Sequence, residues 1–238
     1  MPHARRSTGI SIRKNVRIEL RSEGGMYKSC CGKVICSGCV HAVRMKDGDV
    51  GLCPFCRVPA PTSNEEDIIR LNKRVEVGDA TAIGNMGFYY SQGQSGLPQN
   101  HAKALELWHR AGELGCTDAY YNIGNVFYFG RGAEVDKKKA IHYYEQGAML
   151  GDVNARHNLG GLECNVGNIE RALKHWMISV AGGDADSLNK VQQLYSNGLA
   201  TKEDYSNALR SYQEYLNEVK SVQRDEAAAY KEDYKYID

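Results

Sequence analysis

Residues 119–151 read AYYNIGNVFYFGRGAEVDKKKAIHYYEQGAMLG, two runs with apolar residues at helical spacing, separated by a glycine-rich charged break and closed by a glycine. The pattern recurs on both sides. Four units begin after Gly78, Gly115, Gly151 and Gly183, with 37, 36 and 32 residues between successive glycines. The first run of units one to three shares an alanine, three further residues, an apolar residue and glycine: Ala82 to Met86-Gly87, Ala119 to Ile123-Gly124 and Ala155 to Leu159-Gly160. The second run repeats Ala104-Leu105 with Trp108, Ala140-Ile141 with Tyr144, Ala172-Leu173 with Trp176, and Ala208-Leu209 with Tyr212. A glycine inside a helix costs about 1 kcal/mol relative to alanine, so its recurrence implies close helix packing. The aromatic residue one turn after each alanine is expected to fill the groove between helices.

The glycines at 115, 151 and 183 each fall eleven residues after the alanine of the second run, which suits a left-handed helix cap. Unit three shortens its internal loop to NVGN. Unit four has Gln192 in place of the first-run glycine and continues to about Val219, as terminal repeats often deviate. Residues 78–219 resemble Sel-1-like repeats, relatives of the tetratricopeptide family. The resemblance implies stacked helical hairpins forming a curved α-solenoid, and an adaptor or scaffold that holds proteins together.

Upstream, the run SCCGKVICSGCVHAVRMKDGDVGLCPFCR ends at Arg57 and gathers six of the eight cysteines into 27 residues. An ordinary apolar core does not need thiols at this density. C-x-x-C pairs place two thiolates at corners of one tetrahedron, which favours zinc. Disulfides compete, but the sequence opens with no apolar secretory leader, so a reducing compartment, cytoplasmic or nuclear, is expected.

This segment resembles a RING finger of the all-cysteine type. By that pattern Cys30 and Cys31 correspond to the second ligand pair, Cys36 and Cys39 to the third, and Cys53 and Cys56 to the fourth. The resemblance therefore implies one complete zinc site, Cys30, Cys31, Cys53 and Cys56, and a half site, Cys36 and Cys39. No cysteine precedes Cys30, so the family's first pair and first contact loop have no counterpart. His41 sits two residues after Cys39, where a short helix is expected to turn it away from the metal. One Zn2+ is expected, or two if the missing ligands are supplied; two copies sharing Cys36 and Cys39 would give a zinc-linked homodimer. The family holds a ubiquitin-conjugating enzyme so that a substrate lysine can attack, an effect of positioning without a covalent intermediate. Arg57 matches the family's linchpin cation, and Pro54 and Phe55 fall in its second contact loop.

The rest of the chain reads as support. Net charge is +1, divided into +7 over residues 1–63 and −6 beyond, so charge as a whole predicts no nucleic-acid partner. The basic lead at 1–26 has little amphipathic pattern and reads as a solvated tail rather than a targeting helix. No apolar run approaches the roughly 20 residues needed to cross a bilayer. After Pro59 and Pro61, Ser63 and Glu66 make a capping box for a helix over about 64–77, with an apolar stripe of Ile68, Ile69, Leu71 and Val75. Residues 220–238 predict a closing helix through Val222, Ala229 and Tyr230, with Tyr234 and Tyr236 a less favoured partner site. His101, His109, His142, His157 and His175 share no spacing that gathers them, and Cys116 and Cys164 read as plain thiols. No phosphate loop, H-E-x-x-H or nucleophile elbow is present.

The expected molecule is mostly α: an α-solenoid of about four Sel-1-like hairpins preceded by a small, incomplete RING-type zinc module. Its segments are the lead at 1–26, the zinc module at 27–61, a connecting helix at 62–77, the repeats at 78–219 and the closing helix at 220–238. Two functions fit: an adaptor like a RING-type ubiquitin ligase whose repeats hold the substrate, or a non-enzymatic scaffold bearing a zinc knob.

Overall fold

An aspartate followed by an apolar run opens a helix, because its carboxylate satisfies an amide that the first turn leaves unpaired. Asp79, Asp152 and Asp184 do this at the first helix of units one, three and four, accepting from Ala82, Ala155 and Ser187 N–H at 3.1, 2.6 and 3.1 Å. Cys116 holds the same position in unit two and makes no side-chain cap bond. At the far end of each second helix, Gly115, Gly151 and Gly183 have φ of 87°, 94° and 93°, a region that L side chains adopt only with strain.

The computed structural model describes residues 25–47, 51–220 and 229. Most of the expected basic lead at 1–26, and the expected closing helix at 220–238 apart from Lys220 and Ala229, lie outside the described residues. A two-stranded antiparallel hairpin, β1 (Gly25–Lys28) and β2 (Lys33–Cys36), precedes α1 (Ser37–Asp47) and α2 (Asn64–Glu76). Four helical hairpins follow: α3 (Ala80–Gln92) with α4 (His101–Glu113), α5 (Thr117–Phe129) with α6 (Lys137–Met149), α7 (Val153–Asn165) with α8 (Ile169–Ala181), and α9 (Ala185–Ser196) with α10 (Lys202–Val219). Each hairpin packs on the next, so the molecule is an α-solenoid with a small cysteine-rich module at its N-terminal end.

The repeated glycines are where the second helix's aromatic ring lies. A Cβ on Gly87 would meet Trp108 at 2.7 Å, one on Gly124 would meet Tyr144 at 2.5 Å, and one on Gly160 would meet Trp176 at 2.5 Å. The rings are anchored as well as buried: Trp108 and Trp176 Nε1 donate to the carbonyls of Gly84 and His157, each at 3.1 Å. Tyr144 donates to Asn125 Oδ1 at 2.7 Å. The repeated alanines at 82, 104, 119, 140, 155, 172 and 208 have no exposure, since any larger side chain would push the helices apart.

α2 starts at Ser63, whose hydroxyl accepts Glu66 N–H at 3.2 Å. The capping box is not reciprocal as the sequence suggested. Glu66 instead accepts from Thr62 N–H and hydroxyl at 2.8 and 2.9 Å, and Arg70 holds it from the next turn. Ile68 and Leu71 enter the core of the first hairpin. The adjoining face of α2 meets the cysteine-rich module, where Ser29 donates to Asp67 at 2.5 Å and Arg70 to Pro59 O at 2.6 Å. Tyr27 donates to Asp79 at 2.9 Å, beside the Arg74 guanidinium on the same carboxylate at 2.8 Å. Among the described residues, no helix is long and apolar enough to cross a membrane.

Candidate metal centre

Two tight loops carry the four central cysteines. In the first, the β1–β2 turn closes on Lys28 O through Cys31 and Gly32 N–H at 3.1 and 2.8 Å, with Gly32 at φ 71°, so Cys30 and Cys31 both sit at its tip. In the second, Leu52 pairs with Pro59, Cys53 N–H bonds Val58 O at 2.8 Å, and Arg57 N–H bonds Cys53 O at 2.9 Å. Arg57 adopts φ 60°, an uncommon conformation for a side-chain-bearing residue that lets the chain double back after Cys56.

The loops bring the sulfurs of Cys30, Cys31, Cys53 and Cys56 within 4.8 Å of one another. Cys31 and Cys53 are 3.8 Å apart and Cys30 and Cys56 are 3.4 Å apart, well beyond the roughly 2.0 Å of a disulfide. A tetrahedral zinc with about 2.3 Å bonds to sulfur needs edges of about 3.8 Å, so the donor set and spacing fit that ion. Four thiolates would leave no position for water or substrate, as in a site whose work is to hold loops together.

The thiols do not share one electrostatic environment. Burial pushes the Cys30 and Cys31 thiols up, and their sulfur neighbours add to this for Cys30. Burial also opposes ionisation of Cys53, but backbone N–H groups of Cys56 and Phe55 outweigh it and bring that thiol to about 7. A bound divalent cation would favour the thiolate at all four positions.

Cys36 and Cys39 lie outside this group. They straddle the junction of β2 and α1, with Cys39 N–H on Cys36 Sγ at 3.3 Å, the same i to i+3 contact that Cys56 N–H makes on Cys53. His41 is buried on α1 and joins no metal-binding grouping among the described residues. Pro54 and Phe55 are half-buried and Arg57 is exposed, with Lys33 Nζ 5.1 Å from the Phe55 ring centroid. Pro54 lines a cleft of about 250 Å³ with Val40, Leu52, Pro59 and Arg70, between the cysteine loops and α2.

Sequence reading treated α2 as a connector and missed that Asp67, Arg70 and Arg74 fasten it to the cysteine loops. Their charge pattern looks like any solvated helix face. The histidines form no metal grouping among the described residues: His109 and His142 each stand edge-on to Tyr143 at 5.4 Å. His157 is an exception to their scatter, with Nδ1 at 3.0 Å from Asp184 and 2.8 Å from Ser187.

Residues 80–116 and 117–152 match the family model of the Sel1 repeat. The solenoid contains Sel1 repeats. Its Sel1 hairpins are similar to those of a Sel1 repeat protein from Oxalobacter formigenes, with TM-score 0.58 and 24% identity over 77% of this chain and 72% of that one. They are also similar to c5321, a protective antigen of uropathogenic Escherichia coli displaying an SLR fold, with TM-score 0.55 and 18% identity over 81% of this chain and 40% of that one. Among curated proteins, the ERAD-associated E3 ubiquitin-protein ligase component HRD3B of Arabidopsis thaliana is 30% identical over 114 residues, 47% of this chain and 17% of that protein. The chain spans less than a quarter of the length of the curated relatives it matches. Together these show the repeat and fold type of the solenoid.

Proposed function

We propose that the chain is a zinc-binding adaptor of the RING-type ubiquitin-ligase kind, in which the Sel1 hairpins hold a substrate protein and the cysteine module recruits a ubiquitin-conjugating enzyme. The observation that carries this reading is the four-sulfur cluster of Cys30, Cys31, Cys53 and Cys56 on a module fastened to the first repeat through Tyr27 and Asp79. Docking of this kind fixes the direction from recruited enzyme to bound substrate, which is what catalysis by proximity requires. The C-P-F-C-R loop offers Pro54, Phe55 and Arg57 as the enzyme contact. HRD3B, a component of an E3 ubiquitin-protein ligase, lends further support through its likeness to less than half of this chain. Thiolate ligands would persist in a reducing compartment, cytoplasmic or nuclear.

The test is ubiquitin transfer in vitro with a broad panel of conjugating enzymes. Transfer that is lost in Arg57→Ala at unchanged zinc content supports the reading; no transfer with any enzyme removes it. A second reading, a non-enzymatic scaffold with a single zinc knob, is favoured by the position of Cys36 and Cys39 outside the cluster. Metal analysis separates them: one zinc per chain fits the knob, two fit a complete RING-like module. A value near one and a half, with chelator-sensitive dimers in gel filtration, fits two copies sharing Cys36 and Cys39.

A further inference from the structure

Gly161 is a mid-helix glycine that no packing contact requires. Its neighbour Gly160 makes room for Trp176, whereas a Cβ added to Gly161 would meet nothing within 4 Å. The equivalent position is Phe88 in unit one, Asn125 in unit two and Gln193 in unit four. A glycine here forgoes about 1 kcal/mol of helix stability, and what it leaves in exchange is space. That space is a cavity of about 130 Å³ walled by Tyr128, Phe129, Tyr144 and Leu162. The pocket is open to solvent, with His157, Asn158 and Asn165 completing its lining, and its volume is comparable to the roughly 150 Å³ that holds one aromatic ring.

Two further features describe what would enter. His157 lines the cavity while its Nδ1 is committed to Asp184 and Ser187, so the rest of its ring and the Asn158 amide supply polar groups at one wall. The outer rings carry cations: Lys137 Nζ lies 5.1 Å from the Tyr128 centroid and Arg131 Cζ lies 4.9 Å from that of Phe129. The loop and first turn at 131–139 hold Arg131, Lys137, Lys138 and Lys139 against Glu134 and Asp136. Asp136 caps α6 and keeps its charge, 3.8 Å from Lys139, so four cations against two anions leave this segment with a net charge of +2.

We infer that the cavity between α5, α6 and α7 is the anchor pocket for an aromatic side chain of an acidic peptide segment. The inference rests on the reading that the solenoid binds a partner protein, and it names the chemistry of the part that is bound. The ring would fill the space left by Gly161, and flanking carboxylates would meet Arg131 and Lys137.

The probe is an acetylated, amidated pentapeptide Asp-Glu-Phe-Glu-Asp, titrated by NMR into the full chain beside versions with alanine for phenylalanine and lysine for the acidic residues. Saturable shifts at Gly161, Leu162 and Tyr128 are expected, with both altered peptides at least about tenfold weaker. Gly161→Leu fills the cavity and should weaken binding by at least about tenfold while melting no lower than the parent, since leucine is the better helix former. Equal binding of the phenylalanine and alanine peptides, preference for the basic peptide, unchanged binding by Gly161→Leu, or no binding up to millimolar peptide would each overturn the assignment. None of these outcomes alters Arg57-dependent ubiquitin transfer, so a failure here is distinguishable from a failure of the adaptor reading.

Discussion

Trp108 occupies the volume that a side chain on Gly87 would need, with its indole N–H held by Gly84 O at 3.1 Å. Gly87→Ala should therefore destabilise the protein by about 1–3 kcal/mol through overpacking, against the helix propensity of alanine. Gly161→Ala, with open space at its Cβ, should stabilise by up to about 1 kcal/mol. Urea denaturation of the two variants beside the parent reads both signs; equal effects would mean that ring contact does not set the glycine requirement.

On the proposed zinc site, chelation or Cys53→Ser should unfold the cysteine module, because structural zinc contributes on the order of 10 kcal/mol to domains too small to fold on their own. The sequence alone suggests that the solenoid is untouched. The structure adds that the cap of α3 should loosen: Asp79 receives Tyr27 from β1, and Gly32 between Cys31 and Lys33 packs on the Arg74–Asp79 pair. Hydrogen exchange should show faster amides in α2 and the start of α3, with α5 to α10 unchanged. Exchange that rises evenly along the solenoid would contradict this.

Cys116→Asp should supply the cap that unit two lacks. The equivalent Asp152 is equally buried and accepts Ala155 N–H, so the site accommodates a carboxylate. A gain of about 1 kcal/mol is expected in thermal or urea denaturation.

Acid stability should depend on Asp184. Burial favours its neutral form, but hydrogen bonds from His157 and Ser187 outweigh burial and hold the carboxyl below its ordinary value. A depressed folded value contributes stability that is present above the unfolded value of about 3.9 and is lost as pH falls through the folded one. Asp184→Asn should accordingly lower stability at neutral pH and flatten its decline below about pH 4, as measured by urea midpoints across that range.

The sequence by itself determined the repeat architecture. Alanine, glycine and aromatic residues recur at one register because each hairpin meets its neighbour through the same local geometry, and a period of about 36 residues is visible in one dimension. The helix stops at Gly115, Gly151 and Gly183 were equally legible, since a cap acts within a few residues of itself. The C-x-x-C spacings marked the cysteines, while the assignment of Cys30 and Cys31 to the same group as Cys53 and Cys56 came from a family resemblance. Only the tertiary structure brought those four sulfurs within 4.8 Å, fastened Tyr27 to Asp79 across 52 residues and opened a cavity beside Gly161. Those relations join segments with no common period, so they depend on how separate elements dock, and docking is a property of surfaces in three dimensions.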